Sequence, residues 1–218
     1  MGAEMARPTQ ERALRTRELI VLAAAEEFDR NGYAGAAITK ILERAGVTAG
    51  ALYFHFKSKQ ELALEVMNAQ PQTVVPHLAS RGLQRLVDLT LIWSRQLRED
   101  VLLRAGVRLA VEQGGFGVQN LNAYQNWQGI MTDCLQAAEE DGQLRPGVDP
   151  DRTATFVVGA CTGVQLYAEL RNGREDLTEQ VVQMWQLLLP GVAVADLADR
   201  IDLNPERGNS RGAQPAMG

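Results

Sequence analysis

Residues 38 to 56 read Ile38-Thr39-Lys40-Ile41-Leu42-Glu43-Arg44-Ala45-Gly46-Val47-Thr48-Ala49-Gly50-Ala51-Leu52-Tyr53-Phe54-His55-Phe56. Apolar residues recur at helical spacing up to Ala45, Gly46 interrupts them, and Thr48 stands as N-cap of a second short run that closes near residues 54 to 56. Two short helices joined by a tight turn have the spacing of a helix-turn-helix. Ile41, Leu42, Ala45, Val47 and Leu52 supply the small core that fixes the inter-helix angle, and Gly46 lets the chain turn where a Cβ would clash. The second helix then faces outward, with Ala49, Gly50 and Ala51 in its first turn. Small residues there let the backbone approach a DNA groove, and the first amides can receive a phosphate.

On the N-terminal side a helix is predicted over about 11–30, with Leu19, Ala23 and Phe28 inward and Asn31-Gly32 as its stop. On the other side Ser58 and Glu61 form a capping box for a helix running to about residue 70, where Pro71 and Pro76 break or bend it. Helical segments follow at about 82–99, 101–113, 122–141, 151–171 and 178–189, with a weak one near 194–203. Glycine-rich loops at 114–117, 142–150 and 172–173 separate them, and Pro190-Gly191 is expected to end the helix at 178–189. No stretch alternates between hairpin turns, so the chain is expected to be all-α. Its expected organisation is a flexible N-terminus at 1–9, a helix-turn-helix head of three helices at 10–57, a larger helical body at 58–203 and a flexible tail at 204–218.

With 218 residues, 45% hydrophobic and 22% charged, the composition is that of a globular protein and excludes disorder as the dominant state. No apolar run approaches the roughly 20 residues of a spanning helix, no secretory stretch is visible, and Ala6 stands where myristoylation needs Ser or Thr. A cytoplasmic chain with no membrane partner is expected, associated with the nucleoid when bound to DNA. Cys134 and Cys161 lie far apart in apolar segments and read as buried, reduced thiols with no metal set around them. His55 and His77 are the two histidines, neither inside a catalytic motif, so an enzyme is not expected. The loop at 114–117 follows no strand and lacks a Lys-Ser/Thr partner, so no phosphate cradle and no cofactor are expected. The net charge of −5 hides an asymmetry: residues 1–59 carry 9 basic and 7 acidic side chains, the remainder 13 and 20. A locally basic head on an acidic body fits a small nucleic-acid reader fused to another domain.

Ala45-Gly46-Val47-Thr48, Gly50-Ala51-Leu52-Tyr53-Phe54-His55-Phe56 and Ser58-Lys59-Gln60-Glu61-Leu62 together resemble the signature of the tetracycline-repressor (TetR) family, over about residues 10–65. The all-helical remainder is similar in length and helix count to that family's ligand-binding and dimerisation domain. Gly50 to Phe56, Arg104 to Leu109 and Trp127 in mid-body further resemble the γ-butyrolactone autoregulator receptors of actinomycetes, and arginine-rich, lysine-poor usage fits a high-GC genome. The resemblance implies that Thr48 caps the recognition helix, that Tyr53, His55 and Lys59 lie at phosphate contacts, and that Thr39 and Lys40 touch the opposite backbone. Two departures stand out: Ala37 occupies a position where the family commonly has a capping Thr, and Ala49 one where butyrolactone receptors usually have Lys. Arg12, Arg15 and Arg17 are candidates to compensate electrostatically.

Periodicity does not distinguish a solid body from one holding a pocket. Polar groups among apolar ones, Gln70, Thr162 and Gln165, with Trp127 flanked by Met131 and Tyr124, favour a mostly apolar cavity suited to a lactone or butenolide. By resemblance, Trp127 covers the ring and Gln70 and Thr162 donate to it. Gly159 and Gly163 allow close helix contact, and Val181, Met184, Trp185 and Leu188 form a stripe; both resemble the family's dimer interface. A homodimer sets two recognition helices roughly 34 to 36 Å apart on a near-palindromic operator. The expected function is therefore a repressor released from double-stranded operator DNA by a small hydrophobic lactone-like ligand. A repressor sensing an antibiotic or drug, or a ligand-binding protein that has lost DNA binding, are the alternatives.

Overall fold

The computed structural model describes residues 6–75, 78–117 and 119–207. Residues 1–5 of the expected flexible N-terminus, Pro76, His77 and the expected tail from 208 lie outside them. Among the described residues the elements are helices joined by turns and loops, with one isolated antiparallel bridge between Leu144 and Ala193.

The first helix, α1 (Ala6–Gly35), begins earlier than predicted, so residues 6–9 are helical. It breaks at Gly32, whose φ of 65° leaves the helical region where the stop signal stood. Ile20, Ala24 and Phe28 are fully buried, whereas Leu19, expected inward, is exposed. Its place on the inner face goes to Ile20, one position on, because the 3.6-residue period carries Ile20, Ala24 and Phe28 along one side. The next elements are α2 (Ile38–Ala45), closed by Gly46 in the left-handed conformation, and α3 (Ala49–His55), capped by Thr48. In α4 (Lys59–Asn68), Ser58 Oγ accepts from the Glu61 N–H at 3.1 Å. Glu61 reaches back to the N–H of Lys57 at 2.7 Å, one residue earlier than in the usual capping box. Pro71 opens a single turn, α5 (Pro71–Val74), as proline can at a first helical position.

The longer helices are α6 (Gly82–Glu99), α7 (Val101–Glu112), α8 (Asn122–Glu140), α9 (Pro150–Asn172) and α10 (Leu177–Val192), followed by α11 (Ala195–Ala198). A 3-10 turn, Gln113–Phe116, ends α7 and closes on Gly117 at φ 72°. Pro190 and Gly191 do not end α10: Pro190 sits in its last turn, its missing N–H costs only the helical bond to the Gln186 carbonyl, and the Ala193 N–H still closes on the Leu189 carbonyl at 2.8 Å.

The chain packs as two compact units, one within 1–70 and 100–123, the other within 71–99 and 124–218. The packing therefore cuts differently from the expected boundary at residue 58. In the first unit α7 lies along both α1 and α4, burying Leu103, Ala105, Gly106 and Leu109. Each such leucine contributes about 2 kcal/mol through removal from water. In the second unit α6 packs on α5 and α10, and α10 on α9 and α11. Trp185 is fully buried there, its Nε1 donating to Thr90 Oγ1 at 2.7 Å. Residues 204–207, expected to begin a frayed tail, are held in place. Arg207 donates through Nε and Nη2 to the buried Asp88 carboxylate at 2.8 and 3.2 Å, and through Nη1 to Asp202 at 2.9 Å.

Candidate functional site

The recognition helix α3 is fixed from below and open above. Leu52 and the following Phe56 are buried, so the 3.6-residue period turns Ala49, Gly50, Tyr53 and Phe54 outward. Thr48 is exposed and its Oγ1 accepts from the Ala51 N–H at 3.2 Å, while Ala51 itself is half-buried. Tyr53 is 51% exposed and Phe54 80%. Phe54 was not among the sequence-predicted contacts, though the burial of Leu52 and Phe56 on the opposite side could have found it. His55 is half-buried, with the Phe54 ring edge-on at 5.1 Å and the Phe56 ring at 6.3 Å. Thr39 and Lys40 are exposed on α2. The Lys40 ammonium pairs with Glu43 at 2.9 Å, which raises its pKa above the usual lysine value.

Lys59 behaves differently. It is half-buried, its Nζ donates to the Ala36 carbonyl at 2.5 Å, and burial lowers its pKa against the opposing charge of Glu27. Arg17, expected among the compensating cations, pairs with Glu65 at 2.7 Å and lies 5.2 Å from the centre of the Phe56 ring. Arg12 and Arg15 are exposed. Ala37 provides no side-chain cap for α2. The nearest substitute is the buried Glu27, whose Oε1 accepts from the Ala37 N–H at 3.4 Å and from Asn31 Nδ2 at 2.8 Å. Arg44 stands beside this carboxylate at 3.7 Å and beside Glu26 at 3.2 Å.

Behind the head, Arg104 grips Asp29 with Nε and Nη2 at 3.1 and 3.0 Å, and Arg108 Nη1 donates to the Asp29 carbonyl at 2.6 Å. Arg108 also pairs with Glu112 at 2.7 Å, and Glu112 accepts from the Tyr33 N–H at 3.0 Å. Arginines 104 and 108 were noticed in the sequence only as part of a resemblance; their i, i+4 spacing on one face of α7 was the signal.

The ligand candidates divide between the two units. Gln70 belongs to the first, buried, with Nε2 donating to the Met67 carbonyl at 2.9 Å and its side chain against Gly106. Trp127, Met131 and Gln165 are buried in the second, and Thr162 is half-buried there. Thr162 Oγ1 donates to the Val158 carbonyl at 2.8 Å within its own helix. Gln165 Oε1 accepts from Arg174 Nε at 3.2 Å, and Arg174 also pairs with Glu169 at 3.1 Å. Tyr124, beside Trp127 in sequence, has its hydroxyl pKa raised by burial.

The dimer stripe needs correction. Val181 and Trp185 are fully buried and Met184 nearly so, in the chain's own core, while Leu188 is half-buried. An amphipathic stripe has the same sequence period whether it faces the chain's own core or a partner. The exposed apolar residues of this region are Phe156, Leu166, Tyr167 and Leu170 on α9 and Leu187 on α10, with Gly159 and Gly163 exposed on α9 as well.

Residues 20–66 match the family described as bacterial regulatory proteins, tetR family, and residues 80–194 the tetracyclin repressor-like C-terminal domain. The A-factor receptor protein of Streptomyces griseus is 41% identical over 184 residues, covering 84% of this chain and 66% of that protein, just under two thirds of its length. The crystal structure of full-length native tylp, a tetr regulator from Streptomyces fradiae, superposes with a TM-score of 0.84 at 42% identity, covering 91% of this chain and 96% of that one. A gamma-butyrolactone receptor (ArpA-like protein) of known structure gives a TM-score of 0.65 at 29% identity, over 91% and 97% of the two chains. With head and body each matched in turn, the chain belongs to the tetR family of bacterial regulatory proteins.

Proposed function

We propose that the chain is a dimeric repressor that binds a near-palindromic operator and is released by a small γ-butyrolactone- or butenolide-type molecule. The observation that carries the DNA half is the outward face of α3, Ala49, Gly50, Tyr53 and Phe54, rising from a turn at Gly46 behind a capped first turn. The two small residues admit the backbone to a major groove, and the aromatic pair follows one turn later. Thr39, Lys40, Thr48, Ala51 and His55 flank this face as backbone-contacting candidates. The ligand half is supported by the likeness to the A-factor receptor protein and to a gamma-butyrolactone receptor. Within the second unit, Trp127 and Met131 offer apolar surface, and Thr162 and Gln165 offer hydrogen bonds for a lactone's oxygens.

A second copy of the chain is the occupant for the exposed stripe of α9. Phe156, Gly159, Gly163, Leu166 and Leu170 recur every three to four residues, with Tyr167 next to Leu166, and the stripe rises about 21 Å along the helix. Two such stripes crossing through their glycines form a self-complementary contact. The chain would act in the cytoplasm, at the nucleoid when bound; among the described residues no helix is long and apolar enough to cross a membrane.

Release follows from linkage: a ligand favouring the conformation that fits DNA poorly weakens DNA binding by the coupling free energy, about 1 to 3 kcal/mol or more. Anisotropy titration against the DNA upstream of the chain's own gene, with and without synthetic butyrolactones and butenolides, tests both halves. Release by one of them supports the reading. Tight binding with no release rejects the ligand class and keeps the repressor.

A further inference from the structure

The exposed residues of α3 are Ala49, Gly50, Tyr53 and Phe54, and of these only Tyr53 brings a polar side-chain atom to the face. Ala51 and His55 are half-buried, His55 with the Phe54 ring edge-on at 5.1 Å. Thr48 Oγ1, at the head of the helix, already accepts from the Ala51 N–H. The fold itself does not require Gly50. Its backbone is helical rather than left-handed, and a Cβ there would meet only Thr48 Oγ1, at an ordinary van der Waals distance of 3.9 Å. Glycine within a helix weakens it relative to alanine, so a glycine of no use to the chain's own packing calls for a surface that comes close from outside.

We propose that this face reads its operator through thymine methyl groups: Gly50 admits the helix to the major groove at close range, and the Ala49 methyl and the Phe54 ring each cover the C5-methyl of a thymine. In the major groove every base pair shows a pattern of donors and acceptors, and the thymine methyl is the one apolar group among them. A side chain without polar atoms, pressed against a donor or acceptor, strips it of water and gives it no partner, which is penalised. Pressed against a methyl, the same side chain removes apolar surface from water, which is favourable. Selectivity at the bases beneath Ala49 and Phe54 therefore falls on thymine. The inference deepens the reading of the chain as an operator-binding repressor and rests on it.

A duplex that the wild-type chain selects from a random-sequence library supplies the probe. Each of its thymines is replaced in turn by uracil, which pairs alike and lacks only the methyl. At the thymine beneath Ala49 and the one beneath Phe54 in each half-site, affinity is expected to fall about fourfold, the value of one buried methyl, with the salt slope unchanged. In Ala49→Gly the loss at the first of these disappears, and in Phe54→Ala the loss at the second, because the partner of the methyl has gone. Any general weakening from a softer helix lowers thymine and uracil duplexes alike and cancels in the comparison. For Gly50→Ala, affinity is expected to fall about tenfold or more while Tm stays level or rises. The proposal is overturned if no uracil costs more than about twofold, less than half of what one buried methyl supplies. Methyl losses that persist in either variant, or a Gly50→Ala chain that binds as wild type, overturn it as well. If no duplex is selected, the repressor reading fails and the thymine readout with it; a selected duplex indifferent to its methyls overturns the readout alone.

Discussion

The Arg104 guanidinium and the Asp29 carboxylate meet side-on, Nε 3.1 Å and Nη2 3.0 Å from Oδ2, and tie α7 to α1. Both side chains are about a quarter exposed, so the pair is only partly screened by solvent. The result is a helix distant in sequence fastened to the back of the helix-turn-helix head. Arg104→Ala is expected to destabilise the fold by about 1 to 2 kcal/mol, and Asp29→Asn in the Arg104→Ala background to cost little more. Urea unfolding of the two single variants and the double variant checks this; fully additive losses would show that the pair is not coupled.

Gly106 is the seat of Gln70. A Cβ on Gly106 would stand 2.5 Å from Gln70 Cγ and 3.0 Å from the Val66 carbonyl oxygen, so α4 and α7 would have to part. Gly106→Ala is expected to lose about 1 to 3 kcal/mol of stability, and adding Gln70→Ala to recover part of it. Recovery should stay incomplete, because the backbone oxygen of Val66 remains. Equal stability of Gly106→Ala and wild type in thermal unfolding would contradict this packing.

Trp185 and Leu170 should separate folding from assembly. Trp185→Phe loses the bond to Thr90 and leaves a cavity, for an expected cost of about 1 to 3 kcal/mol, with no effect on subunit association beyond that loss. Leu170, 87% exposed in the single chain, is expected on substitution to Glu to leave the monomer fold intact and weaken the dimer. Sedimentation velocity over a concentration series distinguishes them. A Leu170→Glu chain that dimerises as wild type would place the dimer contact elsewhere.

Phe54 projects from α3 with little to do for the fold. Phe54→Ala is expected to leave Tm within about a degree, as for surface substitutions, and to lower operator affinity about tenfold without altering the salt slope. That combination marks an apolar contact with the bases. A changed salt slope, or no loss of affinity, would remove Phe54 from the interface.

Burial pushes the Cys134 thiol up to about 11 and the Cys161 thiol up to about 12, from 9.0. The folded chain thus retains protons that the unfolded chain sheds above pH 9. Stability contributed by the two thiols is complete below pH 9 and falls as pH rises toward 11 to 12, by about 1.4 kcal/mol per pH unit and thiol within that window. A Cys134→Ala, Cys161→Ala chain is expected to show a shallower alkaline loss of Tm than wild type. Parallel curves from pH 8.5 to 10.5 would contradict the burial of these thiols.

The head was legible in the sequence because its information is local. Gly46 at a left-handed turn, Thr48 as a cap and the period of Ile41 and Leu52 each act within a few residues, so α2 and α3 fall where their spacing places them. Helix-breaking glycines and helical periods likewise delimited most of the body. What the sequence by itself did not decide is which neighbour each face meets. The apolar stripe of Val181, Met184 and Trp185 turns into its own core, and the exposed stripe lies on α9 instead, because period records amphipathicity and not the identity of the covering surface. Charges followed the same rule. Arg17 read as a cation free to compensate for a lost contact until the fold brought Glu65 and Phe56 against it, and the contacts of Lys59 with Ala36 and Tyr33 were not legible either. Arg207 read as tail until the buried Asp88 carboxylate met it. A short-range rule in the chain sets each helix, whereas the partner of a charged or apolar face comes from residues tens of positions away, and only their packing in three dimensions fixes it.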